Sequence, residues 1–330
     1  TIVVLALLPA TFFGIFNVGY QAQATLQMPH NIWDAMARGA GHVLPIILVS
    51  YAVGGFWEVL FACVRKHEIN EGFFVTGILF ALTLPPNIPL WQVAMGISFG
   101  VVVGKEIFGG TGMNIVNPAL AARAFLFFAY PAQMSGDTPW VAVDGIVHAT
   151  PLATLAAAPA GTTAIDALQQ AGYSWSQLFM GFIPGSIGET SKLACLLGLA
   201  FLLLTGVACW RIIVGCVLGL VSISLLILAL NGQHPTVQMT VLPHWHLVLG
   251  GFAFGAIFMA TDPVSAAATR LGRWIYGFLI GAFVVVIRTF NPAYPEAVML
   301  SILLMNVFAP LIDLYVVEHH IHRRQVRVSG

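Results

Sequence analysis

The chain has 330 residues, 13 basic and 13 acidic side chains, and only 8% charged against 58% hydrophobic residues. A soluble domain carries about 25% charged residues, so this is read as a polytopic membrane protein, in keeping with a mean hydropathy of +0.89. With no net charge no nucleic-acid partner is implied, and the lack of long alternating strands favours helices over a barrel.

The chain opens on Thr1 and runs straight into an apolar segment without a positively charged n-region. Residues 1–20 are therefore not read as a signal peptide, and a preceding segment is expected. Apolar runs lie near residues 2–20, 42–64, 73–86, 90–104, 115–130, 192–209, 212–230, 246–262, 274–290 and 297–317. A spanning helix needs roughly 20 mostly apolar residues, so the chain is expected to be all-α with about ten transmembrane helices. The runs around Pro85-Pro86 and Pro263 are short and interrupted; broken spans of this kind often line a site.

At the end of the second run stands Gly54-Gly55-Phe56-Trp57-Glu58, and Glu71-Gly72-Phe73-Phe74 opens the third. A glycine-permitted groove beside aromatic rings can hold a quinone head. Tight helix packing through small residues produces the same pattern. After the fourth run comes Phe108 to Leu120, FGGTGMNIVNPAL. Gly109, Gly110 and Gly112 permit close approach of backbone to a ligand, and the amides of Asn114 and Asn117, next to Pro118, suit the edge of a heteroaromatic ring. A re-entrant turn capping two short helices is the alternative. There is no G-K-[ST], so a phosphate loop is poorly supported.

Residues 131–175 contain Asp137, Asp144 and Asp166 but no Lys or Arg. Within them Thr150-Pro151 precedes LATLAAA, which reads as a helix N-cap with Pro at the first helical position. The basic residues Arg65-Lys66, Lys105, Arg211, Arg270, Arg273 and the tail Arg323-Arg324-Arg327 fall on one side of a ten-span arrangement. Lys and Arg mark the cytoplasmic face, which puts both chain ends in the cytoplasm and residues 131–175 outside. Arg38, Lys192 and Arg288 are the exceptions, at the outer face.

A repeat runs through the chain. Gly77, Phe80, Thr83 and Pro85 read G-x-x-F-x-x-T-x-P, as do Gly255, Phe258, Thr261 and Pro263. Gly100, Lys105 and Asn117-Pro118-Ala119 are echoed by Gly281, Arg288 and Asn291-Pro292-Ala293. Five spans per unit is odd, so the second unit is inverted, an architecture of many secondary transporters. The expected division is a first five-helix repeat over 1–130, an external loop over 131–175, a second repeat over 176–317, and a cytoplasmic basic tail over 318–330. Carboxylates in or beside spans are costly and often functional; Glu58, Glu189, Asp262 and Asp313 are candidates for a cation path, with Glu296 also acidic. Each could instead cap a helix or pair with Arg123, the basic residue in mid-span. Asp262, in Thr-Asp-Pro, suits an Asx cap.

His244 and His246 flank Trp245 as an interfacial belt, and His319, His320 and His322 belong to the solvated tail. Cys63, Cys195, Cys209 and Cys216 lie in or beside apolar runs with no C-x-x-C pair, so they are read as inert buried thiols, with no metal set or disulfide framework.

Several segments resemble one family in order along the chain: Gly54–Leu82, Gly104–Asp137, Ile183–Glu189 (IPGSIGE), His244–Ala266 and Asn291–Glu296 (NPAYPE). They are similar to the B subunit, NqrB, of the sodium-translocating NADH:quinone oxidoreductase, from about Leu8 to the basic tail. The related Rnf-type D subunit shares the fold, but VRKHEINEGFF is closer to NqrB. The resemblance implies two inverted five-helix units, similar to urea transporters. It implies FMN joined by a phosphoester to threonine in a motif near D-x-x-S-G-A-T, matched by Asp144, Ala149 and Thr150, with Gly145 following the Asp. Val147 and His148 stand where Ser and Gly are usual, and a separate flavin transferase reads this motif. A non-covalent riboflavin is implied, for which Gly110, Asn114, Asn117 and Pro118 are the candidates. So is ubiquinone, for which Gly54, Gly55, Glu71, Phe73 and Phe74 form the candidate pocket.

The expected function is thus a membrane subunit of a redox-driven sodium pump in a bacterial inner membrane. It works with an external flavin-bearing subunit and a cytoplasmic quinone-site subunit. No dinucleotide fingerprint is present, so the chain alone is not expected to oxidise NADH. The rivals are a urea-channel-like transport protein without redox chemistry and a structural anchor for redox partners.

Overall fold

The computed structural model describes residues 2–66, 68, 71–135, 140–143, 149–159, 161–230, 236–291 and 294–329. Among the described residues all regular structure is helical. The first half holds α1 (Ile2–Thr25), α2 (Ile32–Arg65), α3 (Gly72–Leu82), α4 (Leu90–Val102) and α5 (Pro118–Ala129). Short helices follow: α6 (Pro131–Ser135), α7 (Pro151–Ala157), α8 (Ala164–Gln170) and α9 (Trp175–Met180). The second half holds α10 (Lys192–Leu204), α11 (Trp210–Ala229), α12 (Pro243–Val248), α13 (Phe252–Phe254, continuing as a π-helical turn to Met259), α14 (Arg270–Phe290) and α15 (Val298–Ser329).

The ten apolar runs are all helical but unequal. Among the described residues six helices, Ile2–Thr25, Ile32–Arg65, Leu90–Phe108, Trp210–Ala229, Arg270–Phe290 and Val298–His322, are long and apolar enough to cross a membrane. Gly72–Leu82, Pro118–Ala129 and Lys192–Leu204 are shorter, and the run near 246–262 is split between α12 and α13. Proline explains part of this: Pro85 and Pro86 stand just past the end of α3, where the missing N–H groups cannot extend the ladder.

A short helix inside a membrane protein leaves carbonyls that water does not reach. At the end of α3 they are met by a loop from the other half of the chain. Ile187 N donates to Leu84 O (3.1 Å) and Gly188 N to Leu82 O (2.7 Å). The loop between α9 and α10 is thereby pinned to the core. This contact, about 100 residues away in sequence, brings the two halves together around the candidate site.

The α11–α14 pair is built on Gly215 and Gly219 against Gly277 and Gly281, a G-x-x-x-G spacing on both helices. A Cβ at Gly281 would fall 1.9 Å from Cys216 O, and one at Gly219 the same distance from Phe278 O. The two backbones are in direct contact.

Beside the main core lies a smaller one. Leu152 and Leu155 of α7, Ala164 and Leu168 of α8, Leu178 of α9 and Trp245 and Val248 of α12 are buried together. Ala164 N donates to Thr240 Oγ1 (2.8 Å) and Gln238 Nε2 to Leu155 O (3.2 Å). Of the segment that sequence reading treats as one loop, 131–175, the described residues of α7 and α8 thus pack with α9 and residues 237–249 into a helical cap, while Met134 of α6 belongs to the main core.

Candidate functional site

Thr150 is the N-cap of α7, with Pro151 at the first helical position as its sequence suggests. Its Oγ1 accepts from Ala153 N at 3.2 Å. The preceding carbonyl, Ala149 O, accepts from the Tyr173 hydroxyl (2.8 Å), which ties α7 to the strip between α8 and α9. Burial pushes the Tyr173 phenol up to about 12. Asp144 and Gly145, with Val147 and His148, lie outside the described residues.

Thr150 fronts a cleft of about 30 Å³ whose far wall is Ile183–Ser186, Glu189, Thr190 and Lys192, with Gly250 and Glu296 closing it. Arg123 of α5 reaches the same wall. Its Nη1 donates to Glu189 Oε1 at 2.9 Å, and its Nη2 donates to Glu296 Oε2 at 2.5 Å and to Ser186 Oγ at 3.4 Å. Arg123 and Glu189 are 5% and 7% exposed. A buried pair of this kind holds only when its geometry and hydrogen bonds replace lost hydration. Gly251 leaves the room: a Cβ there would fall 2.6 Å from the Glu189 carboxylate. Lys192 Nζ donates to Glu189 O (3.2 Å) and Thr190 O (3.0 Å). Arg288 Nη1 donates to His246 O and its Nη2 to Leu249 O, both at 2.9 Å, at the end of α12.

The second candidate is a cavity of about 280 Å³ between α3, the 111–118 segment and the 258–264 turn. Asn114, Asn117 and Pro118 line it, together with Thr76, Lys105, Phe258 and Asp262. Both asparagines also hold the backbone. Asn117 Oδ1 accepts from Ala119 N (3.0 Å) and Leu120 N (3.3 Å) as the cap of α5, and Asn114 Nδ2 donates to Val116 O (2.9 Å). The re-entrant-turn reading and the ligand reading therefore coexist here. Gly110, at φ 98°, stands against the Arg65–Glu106 ion pair.

The four cation-path candidates separate. Glu58 pairs with Lys105 beside the 280 Å³ cavity. Asp262 lines that cavity and caps its own turn, accepting from Val264 N (3.3 Å) and Ser265 Oγ (2.7 Å), the Asx cap expected of Thr-Asp-Pro. Asp313 accepts from Ala268 N, Thr269 N and Thr269 Oγ1 at 2.6, 3.0 and 2.5 Å, securing the start of α14 from α15. Glu189 stands apart, in the Thr150 cleft. Of the quinone candidates, Gly54 packs against Phe73: a Cβ would fall 2.6 Å from its ring. Phe74 is exposed, next to Phe73 and Tyr51, and Glu71 precedes α3 at its N-cap position.

Sequence reading missed Lys192 and Arg288 as site residues. Their one signal was a breach of the positive-inside pattern. Among the described residues no cluster of His, Cys, Asp and Glu could hold a metal ion.

Long apolar helices, interrupted shorter ones and buried ionic groups beside two internal cavities define a multi-pass α-helical membrane protein. The chain belongs to the NQR2, RnfD, RnfE family, whose profile matches residues 1–322. It is 52% identical over 350 residues to the B subunit of a Na(+)-translocating NADH-quinone reductase from Pseudomonas aeruginosa, covering 99% of this chain and 85% of that one. The corresponding B subunit of Azotobacter vinelandii is 54% identical over 343 residues, at 97% and 83% coverage. That of Chromohalobacter salexigens is 53% identical over 341 residues, at 97% and 81%. The resemblance to NqrB that the five segments carry is borne out by these relatives.

Proposed function

We propose that this chain is the membrane subunit of a redox-driven sodium pump that carries FMN on Thr150, holds riboflavin at Asn114 and Asn117, and serves ubiquinone. In this reading the flavins supply the electron-carrying chemistry, and cation export is coupled to it. The observation that carries the proposal is the placement of Thr150. Its hydroxyl fronts a cleft in which Thr190 Oγ1 is buried without a partner among the described residues. Residue chemistry fits the second group as well: the 280 Å³ cavity offers amides and hydroxyls on a mostly apolar wall, as small-molecule sites do.

The residues divide the work. Thr150 gives the attachment oxygen, and Pro151 with the α7 turn fixes its direction. Asn114 and Asn117, held by backbone bonds, present their remaining polar edges to the cavity. Lys105 links that cavity to Glu58, so charge arriving in the cavity is felt by a carboxylate of the proposed cation path. Asp262, Asp313 and Glu189 are the other path residues. Gly54, Gly55, Glu71, Phe73 and Phe74 form the proposed quinone surface.

The inverted repeat belongs to the same reading. Thr83 Oγ1 donates to Phe80 O (2.8 Å) and Thr261 Oγ1 to Ile257 O (2.6 Å). Each repeated threonine thus bonds back to its own interrupted helix, three residues back in one and four in the other, which is in keeping with the repeat; the reading keeps two inverted five-helix units of the urea-transporter kind. The cap with Thr150 faces outward, toward a flavin-bearing partner subunit and the flavin transferase. Both chain ends face the cytoplasm, where a quinone-site subunit docks, and the membrane is the bacterial inner membrane.

The test is a denaturing gel of the chain made in cells that contain the transferase. Flavin fluorescence should stay on the wild-type band, persist with Thr150→Ser and vanish with Thr150→Val. A colourless wild-type band would favour a transport protein without redox chemistry.

A further inference from the structure

Lys192 lines the Thr150 cleft, Arg123 and Arg288 stand behind its wall, and among the described residues these three cations have two carboxylates beside them. Arg123, Lys192 and Arg288 are 5%, 3% and 3% exposed. Two carboxylates, Glu189 and Glu296, stand near them, and Arg123 engages both. Among the described residues Lys192 donates to the carbonyls of Glu189 and Thr190, and Arg288 meets His246 and Leu249. Among the described residues neither has an ion pair. Arg288 Nε and Thr190 Oγ1 are buried without a hydrogen bond among the described residues. Among the described residues one positive charge is left over in a buried place, where an unpaired charge is strongly unfavourable. The cleft that Lys192 and Thr190 line is the one Thr150 fronts, and Gly250, also on its wall, lies against the Arg288 guanidinium.

We propose that Lys192, with Arg288 behind it and the Thr190 hydroxyl beside it, forms a phosphate site facing Thr150, and that its occupant is the phosphodiester of the group attached there. The inference rests on the attachment proposed above and goes beyond it, because it names what holds the phosphate. A phosphodiester carries one negative charge, which matches the charge left over. Its non-bridging oxygens accept from the ammonium and the hydroxyl, as charge-assisted bonds to phosphate do. Gly250 keeps the wall low, since a Cβ there would press on Leu152 at 2.6 Å and on Arg288 at 3.3 Å. The same reading accounts for two cations placed against the positive-inside pattern: they answer a fixed anion, not the cytoplasmic face. Lys192 is a positioning residue here, with no part in electron transfer.

The test compares full chains made with and without the transferase, by thermal unfolding. Flavin attachment should raise the unfolding midpoint of the wild-type chain. Lys192→Met removes the surplus charge, so it should raise the midpoint of the bare chain and largely abolish the gain on attachment. Lys192→Arg should keep the wild-type gain, and Thr150→Val should show the same midpoint with and without the transferase. Lys192→Gln reports the same coupling if the Met variant does not fold. An equal gain on attachment in wild type and in the Lys192 variants overturns the inference while leaving attachment intact. A wild-type band without flavin overturns the attachment itself, and the phosphate site with it.

Discussion

Arg123 gathers Glu189 from the α9–α10 loop and Glu296 from the turn before α15, so one guanidinium ties three distant parts of the chain. Removing one partner of a buried pair strands the other and costs about 3–5 kcal/mol. Arg123→Leu should therefore lower stability by about that amount, and adding Glu189→Gln and Glu296→Gln should recover much of it, as read by thermal unfolding in detergent. Tyr173 offers a pH-dependent counterpart in the cap. Its phenol has an ordinary value of 10.0 and is raised to about 12 by burial. A raised value means that the folded state keeps its proton longer. Its stabilising share is complete below pH 10 and is lost as pH rises toward 12. Cap unfolding, followed by proteolysis between α7 and α9, should accelerate over that window, and Tyr173→Phe should flatten the dependence. A sequence shows Arg123 as an anomaly in an apolar run, but its partners are 66 and 173 positions away, beyond any local pattern.

Helices in this protein are set by two devices, caps and small-residue contacts. Thr150, Thr163, Ser174 and Ser191 each accept a backbone N–H at the start of their helices, and such caps are worth about 0.5–2 kcal/mol. Thr150→Val thus carries a structural cost besides any loss of flavin, which is why Thr150→Ser is the proper control. The α11–α14 contact is less forgiving. Gly281→Leu would put side-chain atoms where Cys216 O stands, 1.9 Å from the Cβ position alone. Overpacking costs about 1–3 kcal/mol or more, and the variant should show a lowered thermal midpoint beyond that of an exposed-face control such as Leu225→Ala. Pro85, Pro118, Pro151 and Pro263 are visible as breaks in the sequence. That α3 stops short to be completed by Ile187 and Gly188 depends on which backbone arrives to take its free carbonyls.

Across the whole molecule, α3 separates the two candidate sites. Gly72 and Thr76 touch the 280 Å³ cavity, while Leu82 meets the loop that builds the Thr150 cleft. Its 11 residues span about 16 Å at the usual helical rise. The proposed orientation puts the Thr150 cap outside. Gln133→Cys, in the segment leading to that cap, should then react with an impermeant thiol reagent from the outer side of the membrane. Labelling from the cytoplasmic side alone would reverse the orientation and end the case for external flavin attachment. The proposed cation path makes a further demand on the assembled complex. Glu58→Gln removes the nearer of two carboxylates beside Lys105, Glu106 remaining at 3.7 Å, and should reduce cation transport in vesicles by a larger factor than Glu318→Gln, on the exposed surface of α15.

Hydropathy by itself determined that this is a helical membrane protein, and the order of five segments, three of them long, pointed to its family. Both are properties of residues read along the chain: burial in lipid demands apolar runs, and turns demand proline and glycine where they stand. The N-cap at Thr150 and the Asx cap at Asp262 were legible for the same reason, since each is closed within four residues. Only the tertiary structure decided that the loop at 183–190 completes α3, that Gly54 faces a phenylalanine ring, and that Lys192 lines the cleft fronted by Thr150 with Arg288 behind Gly250. Those facts come from long-range contacts, where geometry and charge are summed over segments that share no sequence neighbourhood.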